Sequence, residues 1–291
     1  MVRAIDLWRE LCKKYEQPDN LPTWEEAGKW TEDKLYFWKK YIDITTGAMV
    51  GNRSFPNGVV YVDLFGGTGI CSLKNKSKRR FPGSAIIAAH AKKPFSKIII
   101  CEKNPLFAEA CKSRLQKSGT QSIIEIVIGD CNSLIYNIID KIPEKTLTLA
   151  FVDPKGLDCE FNTIKALANS RRTDFVVLFA DAYDINRNYE HIYRPDPNSK
   201  LDKVLGPEND WRPRLDALTN PNHVTRRKLF ADIYKSQLKK YLGYECPDEK
   251  VMTCNRLPLY RLVYASKNKL GWKFWRDAVK EDSSGQRSLF D

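Results

Sequence analysis

Four acidic residues stand where short apolar runs end: Asp63 after Val59-Val-Tyr-Val, Glu102 after Ile98-Ile-Ile-Cys, Asp130 after Val127-Ile-Gly, and Asp153 after Ala150-Phe-Val. Runs of this kind read as buried parallel strands, and open α/β sheets bind ligands outside the carboxyl ends of their strands. The four carboxylates are therefore acceptors gathered at one edge. One at such a place can accept from a pair of vicinal hydroxyls, and another from a ring amino group. Asp63 leads into Leu64-Phe65-Gly66-Gly67-Thr68-Gly69, where glycines let the backbone approach a ligand closely and adopt positive φ. Pro154 follows Asp153, and an Asp-Pro pair there offers a carboxylate oxygen and a carbonyl to an exocyclic NH₂.

An ordinary strand-to-loop turn is the plain alternative for the glycine segment, and a nicotinamide-dinucleotide loop is the sharper one. Gly67-Thr-Gly69-Ile-Cys-Ser72 lacks the third glycine of that fingerprint, and polar residues 72–80 separate it from the next helix. Asp63 instead resembles the acidic strand end of S-adenosylmethionine-dependent methyltransferases, where the carboxylate organises the loop around the cofactor's amino-acid end. On that resemblance Phe65, Gly66, Gly67 and Gly69 hold S-adenosylmethionine together with Asp63, and Glu102 accepts from both ribose hydroxyls. Asp130, with Cys131, meets the adenine. Asp153 and Pro154 are then the catalytic pair, orienting an amino group for in-line transfer, a chemistry that is mainly positioning.

The aromatic residue of the usual Asp-Pro-Pro-Tyr form is missing, and Tyr183 is the candidate to stack on a base. A solvated loop residue is the alternative for Glu102, and a metal-dependent nuclease set the lesser alternative for Asp63, Asp130 and Asp153, where cofactor contacts already explain the carboxylates. His90, His191 and His223 lie far apart without metal-ligand spacing, so no metal site is expected. Cys159 does not follow a proline, as the nucleophile loop of cytosine-C5 methyltransferases requires, and reads as structural.

Strands at 58–65, 97–102, 123–128, 147–152 and 174–180 carry these residues, with helices near 83–92, 104–117, 132–141 and 160–169 between them. This alternation predicts an α/β Rossmann-like class I methyltransferase fold, a mostly parallel sheet with helices on both faces. Apolar spacing predicts helices at 4–16 and 31–49, an N-terminal helical extension over residues 1–50. Residues 51–291 form the methyltransferase-like domain, interrupted at about 181–222 by an irregular insertion rich in Pro, Asn and Asp. A helix at 224–241, two strands near 250–256 and 258–266, and a helix at 270–281 complete it, with a late antiparallel hairpin closing the sheet.

Forty-eight Lys and Arg stand against 36 Asp and Glu, a net charge of +12 that favours a polyanionic partner such as DNA or RNA. Lys74, Lys76, Lys78, Arg79 and Arg80 fall between the glycine loop and the next helix, placed to meet a nucleic-acid backbone beside the site. A solvated charged loop is the alternative. The eight cysteines form no Cys-x-x-Cys pair and read as reduced thiols. The charged opening residues carry no signal-peptide core and no stretch approaches a membrane span, so a soluble cytoplasmic protein is expected, with no membrane partner.

In the order of its short motifs the chain resembles the three-Cys-motif partner protein family. The matching pieces are Trp30-Thr-Glu, Tyr61-Val-Asp-Leu-Phe-Gly-Gly-Thr-Gly69, Pro82-Gly-Ser, Cys101-Glu-Lys, Phe151-Val-Asp-Pro-Lys-Gly156, Leu205-Gly, Pro258-Leu-Tyr and Gly285-Gln-Arg. The resemblance implies a class I methyltransferase-like protein and a three-cysteine, radical-SAM-like partner that owns the cysteines. The family's usual Asp-Pro-Phe-Gly is similar to that of tRNA guanine-N2 methyltransferases, and here Lys155 replaces the aromatic. A non-catalytic partner protein of the same fold is the alternative implied.

Overall fold

The computed structural model describes residues 3–26, 28, 30–74, 77–245, 247–254 and 257–286. The chain opens with α1 (Ala4–Lys14), β1 (Trp24–Glu26) and α2 (Trp30–Met49), followed by β2 (Val59–Asp63), β3 (Ile70–Leu73) and β4 (Arg80–Pro82). Then come α3 (Ser84–Ala89), β5 (Lys97–Glu102), α4 (Pro105–Lys117), β6 (Ile123–Ile128), α5 (Cys131–Asp140), β7 (Leu147–Val152), α6 (Phe161–Ser170) and β8 (Arg172–Phe179). The rest comprises α7 (Asn186–Asn188), α8 (Lys200–Leu205), α9 (Trp211–Asp216), α10 (His223–Leu242), β9 (Asp248–Cys254), β10 (Leu257–Ala265) and α11 (Lys269–Val279).

Seven strands form one sheet in the order β6-β5-β2-β7-β8-β10-β9. The first five run parallel, and β10 is antiparallel to both β8 and β9. With helices on both faces and the late antiparallel hairpin, this is the Rossmann-like class I methyltransferase fold read from the sequence. Because β2 is flanked by β5 and β7, chain connections diverge there, and the crevice at its carboxyl end is the switch point where α/β ligands bind. Asp63 is in register with Phe151, so the ends of β2 and β7 deliver Asp63 and Asp153 to the same place.

Alternation of side chains along each strand splits the interior in two. Val60, Val62, Ala150 and Val152 face a core closed by α5, α6 and α10, while Val59, Tyr61, Leu149 and Phe151 face α2, α3 and α11. The N-terminal helix α2 is thus buried along much of its length, with Trp38 stacked on Phe151 at 4.8 Å. Strand β2 is covered on both sides and all five of its residues are buried, which is why it reads as an unbroken apolar run.

Two segments differ from the sequence reading. Residues 70–82 form a hairpin, β3 with β4, and Trp24–Glu26 adds to it in parallel, making a separate three-stranded sheet over the glycine turn. The stretch 181–222 is not irregular throughout: π-helical turns at Asp181–Ile185 and Tyr189–Tyr193 flank α7, and α8 and α9 follow. Each helix there spans about two turns or fewer, too short for a legible apolar period. Among the described residues no helix is long and apolar enough to cross a membrane.

Candidate functional site

Asp63 closes β2 fully buried. Its Oδ1 accepts from the Phe65 N–H at 3.1 Å, and its Oδ2 accepts from the hydroxyls of Ser84 at 2.5 Å and Tyr61 at 3.0 Å. Burial pushes its carboxyl up to about 6, against the hydrogen bonds from Ser84, Phe65 and Tyr61. It does not face the cleft; it fixes the turn that does. Within that turn Gly66 donates to the Cys101 carbonyl at 2.9 Å, and a Cβ there would lie 2.1 Å from Ile100, so no larger residue fits. Gly67 takes φ +58°, and a Cβ on it would meet nothing within 4 Å, leaving the loop backbone bare on the cleft side.

A cleft of about 860 Å³ opens over this turn. Phe65, Gly66, Gly67, Gly69, Glu102, Asp130 and Cys131 line one part of it, and Asp153 and Pro154 another. Glu102, at the end of β5, accepts from the Gly67 N–H through Oε2 and from the Asn104 N–H through Oε1, both at 2.8 Å. An ionised carboxylate has about four acceptor sites, so each oxygen can still take a hydroxyl. Asp130 caps α5 by accepting from the Asn132 N–H at 2.9 Å and pairs with Lys103 at 3.1 Å. Burial raises its pKa, but the bonds from Lys103 and Asn132 outweigh it, and its carboxyl lies below the usual range. Cys131 lies buried at the start of α5, and contact with its thiol, together with burial, drives the Cys159 thiol well above the ordinary range. Cys159 is neutral at physiological pH, unsuited to act as a nucleophile.

Asp153 is not alone. The Lys34 Nζ of α2 lies 2.5 Å from its Oδ2, with the two side chains 5% and 19% exposed. Lys34 in turn sits 6.0 Å from the centre of the Tyr260 ring, contributed by β10. Lys34, Tyr260, Trp24 and Trp30 all line the cleft; Trp30 and Tyr260 stand in the motifs that carry the resemblance, without a role there, and Lys34 and Trp24 stand in none. The side chain of Tyr183 lies outside those described.

The basic run divides on inspection, which amends the reading of five phosphate-facing cations. Arg80 is buried, donating to the Gln17 carbonyl at 2.8 Å and to Asp19 at 2.7 Å. Arg79 pairs with Glu32 of α2, and Lys78 with Glu25 at 3.0 Å. The cause is the N-terminal segment, whose carboxylates fold over the hairpin. Lys74 is exposed at the rim of the cleft, and Lys76 lies outside the described residues. The same segment is clasped from below by Arg114 of α4, which donates to Asp19 at 2.7 Å and to the Thr68 carbonyl at 2.7 Å. Trp24 N–H donates to the Thr68 hydroxyl at 3.1 Å, so the glycine turn is braced by residues far away in sequence.

No protein-family model matches the chain, and no curated protein matches it. Among solved structures, protein LPL1258 from Legionella pneumophila is similar over 90% of this chain and 96% of its own, at 11% identity and a TM-score of 0.51. The O-methyltransferase from Bacillus cereus, in complex with S-adenosylhomocysteine, covers 92% of each chain at 10% identity and a TM-score of 0.48. The O-methyltransferase TomG from Streptomyces achromogenes, in complex with S-adenosylmethionine, covers 92% of this chain and 91% of its own at 12% identity and a TM-score of 0.42. Likeness at such identities speaks to the fold, and the site must be argued from its own residues.

Proposed function

We propose that this chain is an S-adenosylmethionine-dependent methyltransferase acting on an exocyclic amino group of a nucleic-acid base. The observation that carries the reading is the single cleft that joins a bared glycine turn, Glu102 and Asp130 to the Asp153-Pro154 pair. Its volume suits one small-molecule ligand of nucleoside size with room for an acceptor ring. The donor set also fits: a carboxylate for vicinal hydroxyls, backbone approach at Gly67, and an Asp at the end of β6 for a ring amino group.

When bound, the cofactor supplies an electrophilic methyl on a sulfonium, with its own leaving group. Held by Phe65, Gly66, Gly67, Gly69 and Glu102, it would supply that methyl to the acceptor nitrogen and keep the C–S bonding electrons on sulfur, and the nitrogen's proton would pass to solvent. Asp153 accepts a hydrogen bond from the amino group and turns its lone pair toward the methyl. Asp63 holds the loop, Gly67 lets the cofactor approach the backbone, and Glu102 fixes the ribose. Lys74, at the rim, meets the nucleic-acid backbone, with the first fifty residues forming a helical extension that completes the cleft. The protein acts in the cytoplasm.

Membership of the three-Cys-motif partner family belongs to the same proposal. A second reading, a non-catalytic partner of a three-cysteine radical-SAM-like protein, is favoured by one feature: Asp153 is already engaged by Lys34. Incubation with methyl-labelled S-adenosylmethionine and mixed DNA and RNA separates the two. Label in nucleic acid, lost in Asp153→Ala, supports the enzyme; no transfer to either polymer supports the second reading.

A further inference from the structure

We infer that Lys34 is a specificity-determining residue of the acceptor pocket, reading with Asp153 a base edge that carries an amino donor beside a ring-nitrogen acceptor. Adenine and cytosine have that edge. The inference rests on the proposed role of Asp153 and names the acceptor more narrowly.

An ammonium offers donors only and an ionised carboxylate acceptors only. With Nζ 2.5 Å from Oδ2, the pair sets a donor next to an acceptor on the cleft wall. Adenine presents N6–H beside the acceptor N1, and cytosine N4–H beside the acceptor N3, so either matches both groups at once. Guanine presents N2–H beside N1–H, two donors in a row. A carboxylate reads such a pair with both oxygens, but here the ammonium lies against Oδ2, so N1–H would face it donor to donor. Guanine's N3 also adjoins its amino group, but the sugar on N9 flanks that edge.

The pair is also held in place. Lys34 lies on α2, the 20-residue helix whose neighbours Leu35, Phe37 and Trp38 are buried in the core, and its ammonium lies near the face of Tyr260. Separating two charges this buried leaves each uncompensated, so Lys34 cannot readily swing aside to accommodate the wrong edge. Tyr260 supplies an aromatic face beside the pair, at a site where the sequence has Lys155 in place of the family's aromatic. An unpaired polar edge against a site built to bond it is rejected strongly, which makes the discrimination measurable.

The test uses the full chain loaded with S-adenosylhomocysteine and titrated with oligo-thymine strands, in DNA and RNA form, that carry one central adenine, cytosine or guanine. Fluorescence anisotropy is expected to show the adenine or the cytosine strand bound at least about tenfold more tightly than the guanine strand. Lys34→Met should bring that preference within about twofold, while Lys34→Arg, which keeps a donor, should retain it; a merely structural lysine would not alter the ranking of bases. Should Lys34→Met fail to fold by thermal melt, the parent's ranking and Lys34→Arg decide. Equal binding, a guanine preference, or a preference that survives in Lys34→Met overturns the inference, as does the absence of binding to any strand. A base preference without methyl transfer would sustain the inference while refuting the proposed activity, and transfer to guanine N2 would do the reverse.

Discussion

Replacing Glu102 by Ala removes a carboxylate that does two things at once. It anchors the glycine turn through Gly67 and the start of α4 through Asn104, each at 2.8 Å, and it is the proposed acceptor for the ribose hydroxyls. Hydrogen bonds to a charged group contribute about 1.5–3 kcal/mol each, so losing the ribose contact should weaken cofactor binding roughly ten- to hundredfold. The effect on the fold should be smaller, about 1 kcal/mol, because both amides sit at the half-open edge of the cleft where water replaces the lost acceptor. Glu102→Gln is the more searching variant. It keeps one carbonyl oxygen but turns an NH₂ toward one of two N–H donors, so it should lose nearly as much affinity as Ala while preserving size. Calorimetric titration with S-adenosylhomocysteine, alongside a thermal melt, reads both quantities. An Ala variant that binds within twofold of the parent would refute the placement of the ribose at Glu102.

Asp153→Ala leaves the buried Lys34 ammonium without its carboxylate and should cost about 3 kcal/mol or more of stability, read by urea denaturation. The folded protein should still bind the cofactor and lose methyl transfer to nucleic acid by about a hundredfold or more, checked with labelled cofactor. Arg80→Ala should lower stability by about 1–3 kcal/mol, because Arg80 is buried against Asp19, whereas Lys74→Ala should leave stability within about 0.5 kcal/mol; urea denaturation separates them. Lys74→Ala should instead flatten the dependence of log affinity for nucleic acid on log salt by about 0.7–0.9. Asp174, buried beneath the hydroxyls of Tyr41 and Tyr264, has its carboxyl pushed up by burial to about 6 from 3.8. Its protonated form is favoured in the folded state, so its contribution is present at pH below about 4 and is lost as pH rises through about 6. The loss amounts to about 3 kcal/mol at most, and Asp174→Asn should flatten the fall in urea midpoint across that window.

Much of the sheet was legible because its strands are homogeneous. Lys97–Glu102 and Leu147–Val152 lie where runs of Ile, Val and Leu place them, since a strand covered on both faces has no polar alternation to blur its ends, and the edge strand Ile123–Ile128, partly exposed, was legible from its β-branched run alone. The acidic strand ends followed from the same runs. What stayed hidden depends on contacts between distant residues. Lys34 and Asp153 are 119 positions apart, and a lysine in an amphipathic helix carries no local sign that its ammonium will be buried. Arg114 likewise reads as one more helical cation until Asp19 and the Thr68 carbonyl meet it. The small sheet was missed because strands of three and four residues are shorter than the period used to recognise them, and one of them is recruited from the N-terminal segment. The basic run looked like a patch because sequence shows the cations together and their partners, Asp19, Glu25 and Glu32, elsewhere.

A crystal structure of the full chain grown with saturating S-adenosylhomocysteine tests the central claim most directly. The account predicts the ligand in the cleft over residues 66–69, its two ribose hydroxyls on the Glu102 carboxylate, its adenine beside Asp130 and Cys131, and its sulfur turned toward Asp153. A cleft left empty under those conditions, or a ligand bound with its ribose away from Glu102, would contradict it.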